Sequence, residues 1–335
     1  MRNNTKYNKL IQSAGNCIGS SETTRQLSDT IKKKGGAEGK RPPGVPEKNL
    51  LGKHQFAPWL AGVLDGDGNF DLRKSAGGPT GEKQCILKAI RIKLHRRDVR
   101  ILTRIQNHLH LGRIKYDKNK PHVLFILSNR EGMEELINLV NGYILIKCES
   151  FAKACQCVGV DFKEGNYTLS PASHYFAGLI DTDGSIVFNF PGNRIECHLE
   201  LKYTKYTKKL CLDYVIPHYK PTTLLREKKI TGQPGKLYKS IAFKFQTVGG
   251  MIFLYDAFMR NRLYCDIKFY RVSSIKKFLS IRHYRDQPFD TLEYKIYADF
   301  VLKWIQYKNP MWVRVPFAMT LLERRKQVTL ETPNS

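Results

Sequence analysis

Two similar stretches of the chain, 60–68 and 176–184, read Leu-Ala-Gly-Val-Leu-Asp-Gly-Asp-Gly and Phe-Ala-Gly-Leu-Ile-Asp-Thr-Asp-Gly. In each, an acid (Asp67 or Asp183) immediately precedes the closing glycine. If each stretch is a helix that stops at this glycine, the acid lies at the helix C-terminus, where the helix dipole disfavours a negative charge. Two such acids brought together are disfavoured further unless a cation lies between them. The pattern therefore indicates a metal site rather than a structural helix stop.

The acids can meet only if the two predicted helices pack against each other. Small side chains within an apolar run let two helix backbones approach closely. We therefore predict a helix interface at the two Ala-Gly pairs, which are Ala61, Gly62, Ala177 and Gly178. This packing would place Asp67 beside Asp183, with the backbone carbonyls of Gly66 and Thr182 as candidate metal co-ligands.

The charge of the chain indicates a polyanionic partner. The 335 residues include 56 Lys and Arg against 30 Asp and Glu, which gives a net charge of +26. Because the basic residues are spread along the whole chain, a folded basic surface is favoured over a basic tail alone. Charge by itself leaves two partners open, nucleic acid and an acidic membrane surface.

Hydropathy and cysteine usage narrow the class of protein. No apolar run reaches transmembrane length. Of the two polyanionic partners, we expect nucleic acid and no membrane. The eight cysteines lack a secreted-type framework, and Cys155 and Cys157 are the only close pair. A lone Cys-x-Cys is weak evidence for zinc, and we predict reduced cysteines in an intracellular protein.

The predicted elements occur twice in the same order, which indicates an internal duplication. In the first copy we predict helices at 56–66, from Asp98 through Leu109, at 131–140 and from Cys148, and strands at 69–74, 85–94, 112–116 and 123–128. In the second copy we predict strands at 185–190, 195–203, 222–229 and 238–246, and helices at 206–215, 249–260, 267–280 and 292–307. Glycine-rich loops lie at 77–81 and 231–235.

This order predicts an α+β protein with two pseudo-symmetric αββαββα domains. Their antiparallel sheets would form a saddle, with the motif helices packed at the domain interface. We place a basic, disordered extension at 1–50, the first domain at 51–158, a linker at 159–173, the second domain at 174–310 and a C-terminal tail at 311–335.

Alternation along the strands gives each sheet a polar face. In the strand at 85–94 we place Ile86 on the apolar face and Leu87 on the basic one, with Lys88 interrupting the apolar face. A two-stranded ribbon fits the DNA major groove, where Arg and Lys can bind guanine and Asn and Gln adenine. The alternative is a solvated sheet face without a ligand. The predicted DNA-binding residues are Asn69, Asp71, Arg73, Arg91, Lys93, Arg113 and Lys115 in the first copy, and Ser185, Asn189, His198, Lys202, Lys244 and Gln246 in the second.

Phosphodiester hydrolysis needs an activated water, neutralisation of charge on the phosphate and help for the leaving oxygen. Divalent metals held by a few carboxylates and by substrate phosphates can supply all three. Lys147 and Lys268 occupy equivalent places in the two copies, so each could approach one scissile phosphate. The alternative for either lysine is an ordinary surface position.

The two motifs, together with the element order over about 52–310, resemble the LAGLIDADG homing endonucleases of the single-chain, two-motif type. The resemblance implies an intron-encoded monomer. Such proteins typically come from an organelle, and here we favour a mitochondrion over a chloroplast. It implies cleavage of both strands of one long, asymmetric DNA site with Mg²⁺, leaving 3′ overhangs. By motif position, Asp67 and Asp183 are the metal ligands, whereas Asp65 and Asp181 are structural. Basic and water-organising positions fall at His95, Thr204, Lys147 and Lys268.

Two other functions are compatible with this scaffold. A maturase would bind the RNA of its own intron through a basic surface away from the groove, alone or beside nuclease activity. A DNA-binding module without catalysis would have no reason to place two acids in register at helix ends. The presence of both acids favours the nuclease.

Overall fold

The structure is a computed structural model that describes residues 52–74, 85–229 and 237–327. Our predictions for the extension at 1–50, for the glycine-rich loops at 77–81 and 231–235, and for the end of the C-terminal tail lie outside the described residues. Within these ranges, no helix is both long and apolar enough to cross a membrane.

The first half follows the predicted order. Its elements are α1 (Lys53–Asp67), β1 (Gly68–Lys74), β2 (Cys85–His95), α2 (Val99–Leu109), β3 (Arg113–Tyr116), β4 (His122–Leu127), α3 (Arg130–Val140) and α4 (Cys148–Val158). The strands form one antiparallel sheet in the order β1-β2-β4-β3. Apolar side chains on one face of this sheet, such as Phe70 and Phe125, are buried beneath the helices.

A bulge in β2 changes the alternation that the sequence predicts. The pairing of β1 with β2 shifts between Asp71 and Leu72, and Lys88 is the extra residue. An extra residue exchanges the two faces of the strand beyond it. Leu87 is therefore buried and Ile86 exposed, so our assignment of these two residues is wrong.

The second half repeats the sheet. Its elements are α5 (Tyr175–Thr182), β5 (Gly184–Asn189), β6 (Arg194–Lys202), β7 (Thr222–Lys229), β8 (Leu237–Phe245), α6 (Met251–Arg260), α7 (Asp266–Ser273), α8 (Ile275–Ile281), α9 (Leu292–Gln306) and α10 (Ala318–Gln327). The strand order is β5-β6-β8-β7, equivalent to that of the first sheet. The predicted α+β class with two antiparallel sheets is confirmed.

In the second half, the helix predicted at 206–215 does not form, and turns and irregular backbone occupy these residues instead. Thr207 Oγ1 accepts a hydrogen bond from Thr204 N and donates one to Lys202 O, both at 2.8 Å. Threonine side chains that bind nearby backbone groups compete with helix formation. Apolar residues whose spacing suggested a helix, such as Leu210 and Leu212, are buried from this irregular segment.

The helix predicted at 267–280 is also interrupted. Ser274 lies between α7 and α8, and its Oγ donates to Tyr270 O at 2.7 Å. Such a bond to the preceding turn bends a helix. The long segment is therefore two short helices.

The C-terminal helices pack on the second half. The ring of Phe317, just before α10, stacks on Phe190 with 4.5 Å between centroids. Trp304 of α9 contacts Phe188 at 5.8 Å. This packing continues the second half past residue 310, where we place its boundary from the sequence.

The motif helices α1 and α5 join the two halves. A Cβ added to Gly62 would overlap the carbonyl oxygen of Tyr175, and a Cβ added to Gly178 would overlap that of Trp59. Ala61 and Ala177 are buried in the same helix pair. Because the helices touch through their backbones, their C-terminal ends stay close together.

Candidate active site and nucleic-acid interface

The second aspartates of the motifs meet where the two helices end. Burial raises the pKa of Asp67 to about 6, and the negative charge of Asp183 contributes to this rise. Burial likewise raises the pKa of Asp183, while Lys147 and Lys268 lower it. Two partly buried carboxyl groups of like charge therefore lie close together, and two lysines offset part of that charge.

Each motif helix ends on a lysine from its own half. Lys147 Nζ donates to the carbonyl oxygens of Leu64, Gly66 and Gly68 at 3.0, 2.6 and 2.6 Å. The carbonyls at a helix C-terminus have no partner within the helix and carry partial negative charge, so a cation there is favourable.

Lys268 caps α5 in the same way. Its Nζ donates to the carbonyls of Ile180, Asp181 and Thr182 at 2.8, 2.9 and 2.9 Å. An ammonium group has three donors, so neither lysine has a spare one for a phosphate in this arrangement. A metal ion bound to the carbonyls of Gly66 or Thr182 would also have to share them with an ammonium.

The pKa of each second aspartate is lowered more by the lysine that belongs to the opposite half. Lys268 lowers the pKa of Asp67 more than Lys147 does, whereas Lys147 has the larger effect on Asp183. Each acid therefore has its stronger electrostatic partner in the opposite half. The site is assembled across the helix interface and depends on both halves.

The first aspartates of the motifs are buried and hold backbone in place. The carboxylate of Asp65 accepts hydrogen bonds from the N–H groups of Leu145, Ile146 and Lys147 at 2.7, 3.1 and 2.8 Å. These contacts fix the chain that carries the Lys147 side chain to the end of α1.

Asp181 plays the equivalent part in the second half. It accepts from Tyr264 N and Cys265 N, each at 2.8 Å, shortly before Lys268. Both first aspartates, for which we predict a structural role, therefore position the segment that precedes each lysine.

Two aromatic residues brace the halves against each other. Tyr175 Oη donates to Asp65 at 2.7 Å, and Trp59 Nε1 donates to Asp181 at 3.0 Å. Each bond joins the aspartate of one motif to the aromatic residue that precedes the other motif. The sequence shows these aromatics at equivalent places, but it does not show that they cross.

His95 and Thr204 have local partners. His95 Nδ1 accepts from Arg97 N at 3.2 Å, and burial and the charge of Arg97 lower its pKa. Thr204 belongs to the turn network with Thr207. Among the described residues, no hydrogen bond or ion pair joins either side chain to Asp67 or Asp183, so their catalytic assignment stays a prediction.

The donor set suits a hard cation that takes part of its coordination from substrate. No cluster of three or more His, Cys, Asp or Glu side chains with metal-binding geometry occurs in the described ranges. Magnesium is commonly bound by one or two carboxylates together with waters and substrate phosphates. Asp67 and Asp183 match that pattern, whereas a zinc site would need more protein ligands.

The open face of the first sheet carries two rows of cross-strand neighbours. The rows are Asn69–Arg91–Ile126–Arg113 and Lys93–Leu124–Lys115. Directly opposed residues share a face, so five of the predicted DNA-binding side chains lie together. Asp71 lies beside them and forms ion pairs with Arg91 at 2.8 Å and with Arg73 at 3.2 Å. It therefore orders these arginines, and its own contact with DNA stays a prediction.

On the open face of the second sheet, more of the polar side chains are hydrogen-bonded to one another. Its rows are Ser185–His198–Lys244–Thr222 and Lys202–Ser240–Arg226, and Asn189 pairs with Arg194. Gln246, one residue past β8, donates to Thr222 Oγ1 at 3.4 Å. Glu196 and Glu200, which we do not predict as site residues, hold several of these side chains.

The raised pKa of Asp67 predicts how the free energy of unfolding changes with pH. Between its ordinary pKa of 3.8 and about 6, the folded protein keeps a proton that the unfolded chain loses, so rising pH weakens folding. Asp67→Asn should therefore stabilise the metal-free protein by about 3 kcal/mol at neutral pH, and the gain should vanish as the pH falls below about 4. Urea denaturation in a chelator across this range measures it. Asp213→Asn, at an exposed ion pair with Lys220, is the control, and a loss of stability in Asp67→Asn at neutral pH would contradict the prediction.

Residues 60–158 match the family described as LAGLIDADG endonuclease. The chain is 32% identical over 140 residues to the intron-encoded RNA maturase bI4 of Saccharomyces cerevisiae, an alignment that covers 41% of this chain and only 20% of that protein. It is 25% identical over 271 residues to the intron-encoded DNA endonuclease ai2a of Dictyostelium discoideum, 77% of each. The solved structure of the LAGLIDADG homing endonuclease I-LtrWI bound to target DNA aligns with a TM-score of 0.46 and 13% identity, over 75% of this chain and 98% of that one.

The matched family segment begins at the first motif and ends with α4. The second half repeats the motif helix and the four-stranded sheet in the same strand order. The likeness to the LAGLIDADG endonuclease family therefore covers residues 60–158, and residues 176–184 carry a second copy of its motif in the same polypeptide.

Proposed function

We propose that this protein is a site-specific endonuclease that cuts both strands of duplex DNA and serves the mobility of its intron. The observation that carries the proposal is the meeting of Asp67 and Asp183 at the ends of two helices that touch through their backbones. Two carboxylates that repel each other at helix C-termini are unfavourable by themselves. Their placement is explained if they bind a divalent cation next to a phosphate.

In this proposal, the sheets and the ends of the motif helices have separate roles. The open faces of the two sheets bind the duplex, and each acid faces one strand at the centre of the site. Asp67 and Asp183 would hold a Mg²⁺ ion, which when bound would supply an activated water and positive charge to offset that of the phosphate. Lys147 and Lys268 keep the carbonyl-rich helix ends in place. Direct participation of either lysine requires that its present contacts with the helix-end carbonyls first change.

Further properties follow from the two-in-one architecture. Because both halves belong to one chain, a monomer contains the complete site. Because the two sheet faces carry different side chains, the DNA site is asymmetric. The resemblance to the LAGLIDADG homing endonucleases further implies a long site and staggered cuts that leave 3′ overhangs. The intron-encoded relatives support an origin in an organelle, with a mitochondrion favoured over a chloroplast.

The direct test is to incubate the protein and Mg²⁺ with a randomised or genomic DNA library and to sequence the cut ends. A single long consensus with staggered ends supports the proposal. Absence of cleavage of any sequence under conditions in which the protein is folded would refute it.

Alignment with a yeast RNA maturase, at 32% identity over 140 residues, favours a second candidate function. In that role the protein binds its own intron RNA and assists splicing, alone or in addition to cutting DNA. Acceleration of splicing of that intron by both the wild-type protein and an Asp67→Asn variant would support this role and separate it from nuclease chemistry.

The basic first sheet predicts a steep dependence of DNA binding on salt, because each neutralised phosphate releases counterions. Lys93→Gln together with Lys115→Gln should weaken binding at low salt and flatten the plot of log affinity against log salt by about 2 units, roughly one for each lost phosphate contact. Titrations with labelled duplex at several salt concentrations measure this slope. Lys153→Gln on α4 is the control, and an unchanged slope in the double variant would contradict the phosphate contacts.

A further inference from the structure

A buried carboxylate lies in the open face of the second sheet. The Glu196 side chain is 3% exposed. Its Oε1 accepts hydrogen bonds from Arg194 Nε at 2.6 Å and Asn189 Nδ2 at 2.7 Å, and its Oε2 lies 2.7 Å from His198 Nε2. All three partners belong to the β5–β6 pair.

An acid in this position is costly for a protein that binds a polyanion. It subtracts from the positive charge of the face, and a buried charge is tolerated only when it is well paired. Burial alone would raise the pKa of Glu196, but the hydrogen bonds from His198, Asn189 and Arg194 outweigh burial and keep the pKa below its usual range. The group is therefore a charged carboxylate at neutral pH, fully used in holding its partners.

The partners are fixed at one end and accessible at the other. The side chains of Arg194 and His198 are 28% and 23% exposed, above a glutamate that is covered. Long side chains that are already ordered lose little entropy when they bind, and donors at fixed positions can discriminate the edges of base pairs. His198 also lies in the row that contains Ser185 and Lys244.

In the first sheet, Asp71 pairs with Arg73 and Arg91, but three other cations of the open face lack such a partner among the described residues. Lys93, Arg113 and Lys115 are exposed, and within the described ranges none of them forms an ion pair. Mobile cations of this kind suit phosphates, which carry no sequence information. The two sheets therefore differ in how rigidly they present their polar side chains.

We propose that Glu196 is a positioning residue for sequence recognition, which fixes Arg194, His198 and Asn189 so that they discriminate a short run of base pairs in the half-site under the second sheet. This inference rests on the proposed DNA-binding function. It assigns a specificity role to an acid that itself touches no DNA.

The test compares the wild-type protein with Glu196→Gln in competitive binding to a library of single-base variants of the cleaved site. We expect preference at a few adjacent base pairs of one half-site to fall by about five- to tenfold. Preference in the other half-site should not change, and affinity for unrelated duplex should be equal or slightly higher, because one negative charge is lost. Glu164→Gln makes the same charge change at an exposed ion pair with Lys209 and should leave every preference unchanged.

A second variant protects the test against a folding defect. His198→Asn removes one partner and keeps the acid, and it should reduce preference at a subset of the same base pairs. In the His198→Asn background, Glu196→Gln should add little at that subset, because coupled residues are not additive.

Three results would overturn the inference. They are unchanged preferences in Glu196→Gln, a uniform loss across both half-sites with a lower melting temperature, and fully additive losses in the double variant. Failure of the wild-type protein to prefer any DNA sequence would instead refute the proposed function, so the two failures are distinguishable.

Discussion

Asp67→Asn and Asp183→Asn should each reduce double-strand cleavage by about a thousandfold or more, because a catalytic metal ion supplies several kcal/mol of stabilisation to the transition state. Asparagine keeps the size of the side chain but cannot supply the negative charge that a hard cation requires. Conversion of a supercoiled plasmid that carries the site separates nicked from linear product, so the loss can be measured for each strand.

Binding and cutting should respond in opposite directions to these substitutions. Removing a carboxylate near a phosphate lowers repulsion, so the variants should bind the target at least as tightly as the wild-type protein. Asp290→Asn, an exposed acid outside the site, is the matched control and should cut normally. Linearisation at the wild-type rate by either motif variant would refute the two-acid mechanism.

Gly62→Ala and Gly178→Ala should each destabilise the protein by more than about 3 kcal/mol, although alanine is the better helix former by about 1 kcal/mol. The added methyl group meets backbone of the facing helix, at the carbonyl of Tyr175 for residue 62 and of Trp59 for residue 178. Backbone cannot turn away as a side chain can, so the helices must separate. Urea denaturation gives the free energy of unfolding.

The matched control for this pair is Gly249→Ala, because a Cβ at that glycine meets nothing within 4 Å. The effects of the two interface substitutions should not add, since both separate the same helix pair. Variants as stable as the wild-type protein would mean that the helices can part without cost. The interface would then not be what holds Asp67 and Asp183 together.

Features set by local pattern could be predicted from the sequence. The repeated stretch, its small residues and its terminal acids imply two closely packed helices, and alternation in the strands implies two sheets with polar faces. Both are consequences of periodicity and side-chain size, which act within a few residues. Local pattern gave wrong predictions in two places. Hydrogen bonds of Thr204 and Thr207 with nearby backbone favour turns over the helix predicted at 206–215. An extra residue in β2 exchanges the sheet faces on which Ile86 and Leu87 lie.

The sequence by itself determined which residues form the motif helices, that there are two copies, and that two acids end them. Only the tertiary structure decided the contacts between residues far apart in the chain. It placed Lys147 and Lys268 on helix-end carbonyls, crossed Tyr175 and Trp59 between the halves, and buried Glu196 beneath its three partners. The physical reason is that a hydrogen bond depends on distance and direction in space, and neither is written in the spacing of residues along a chain.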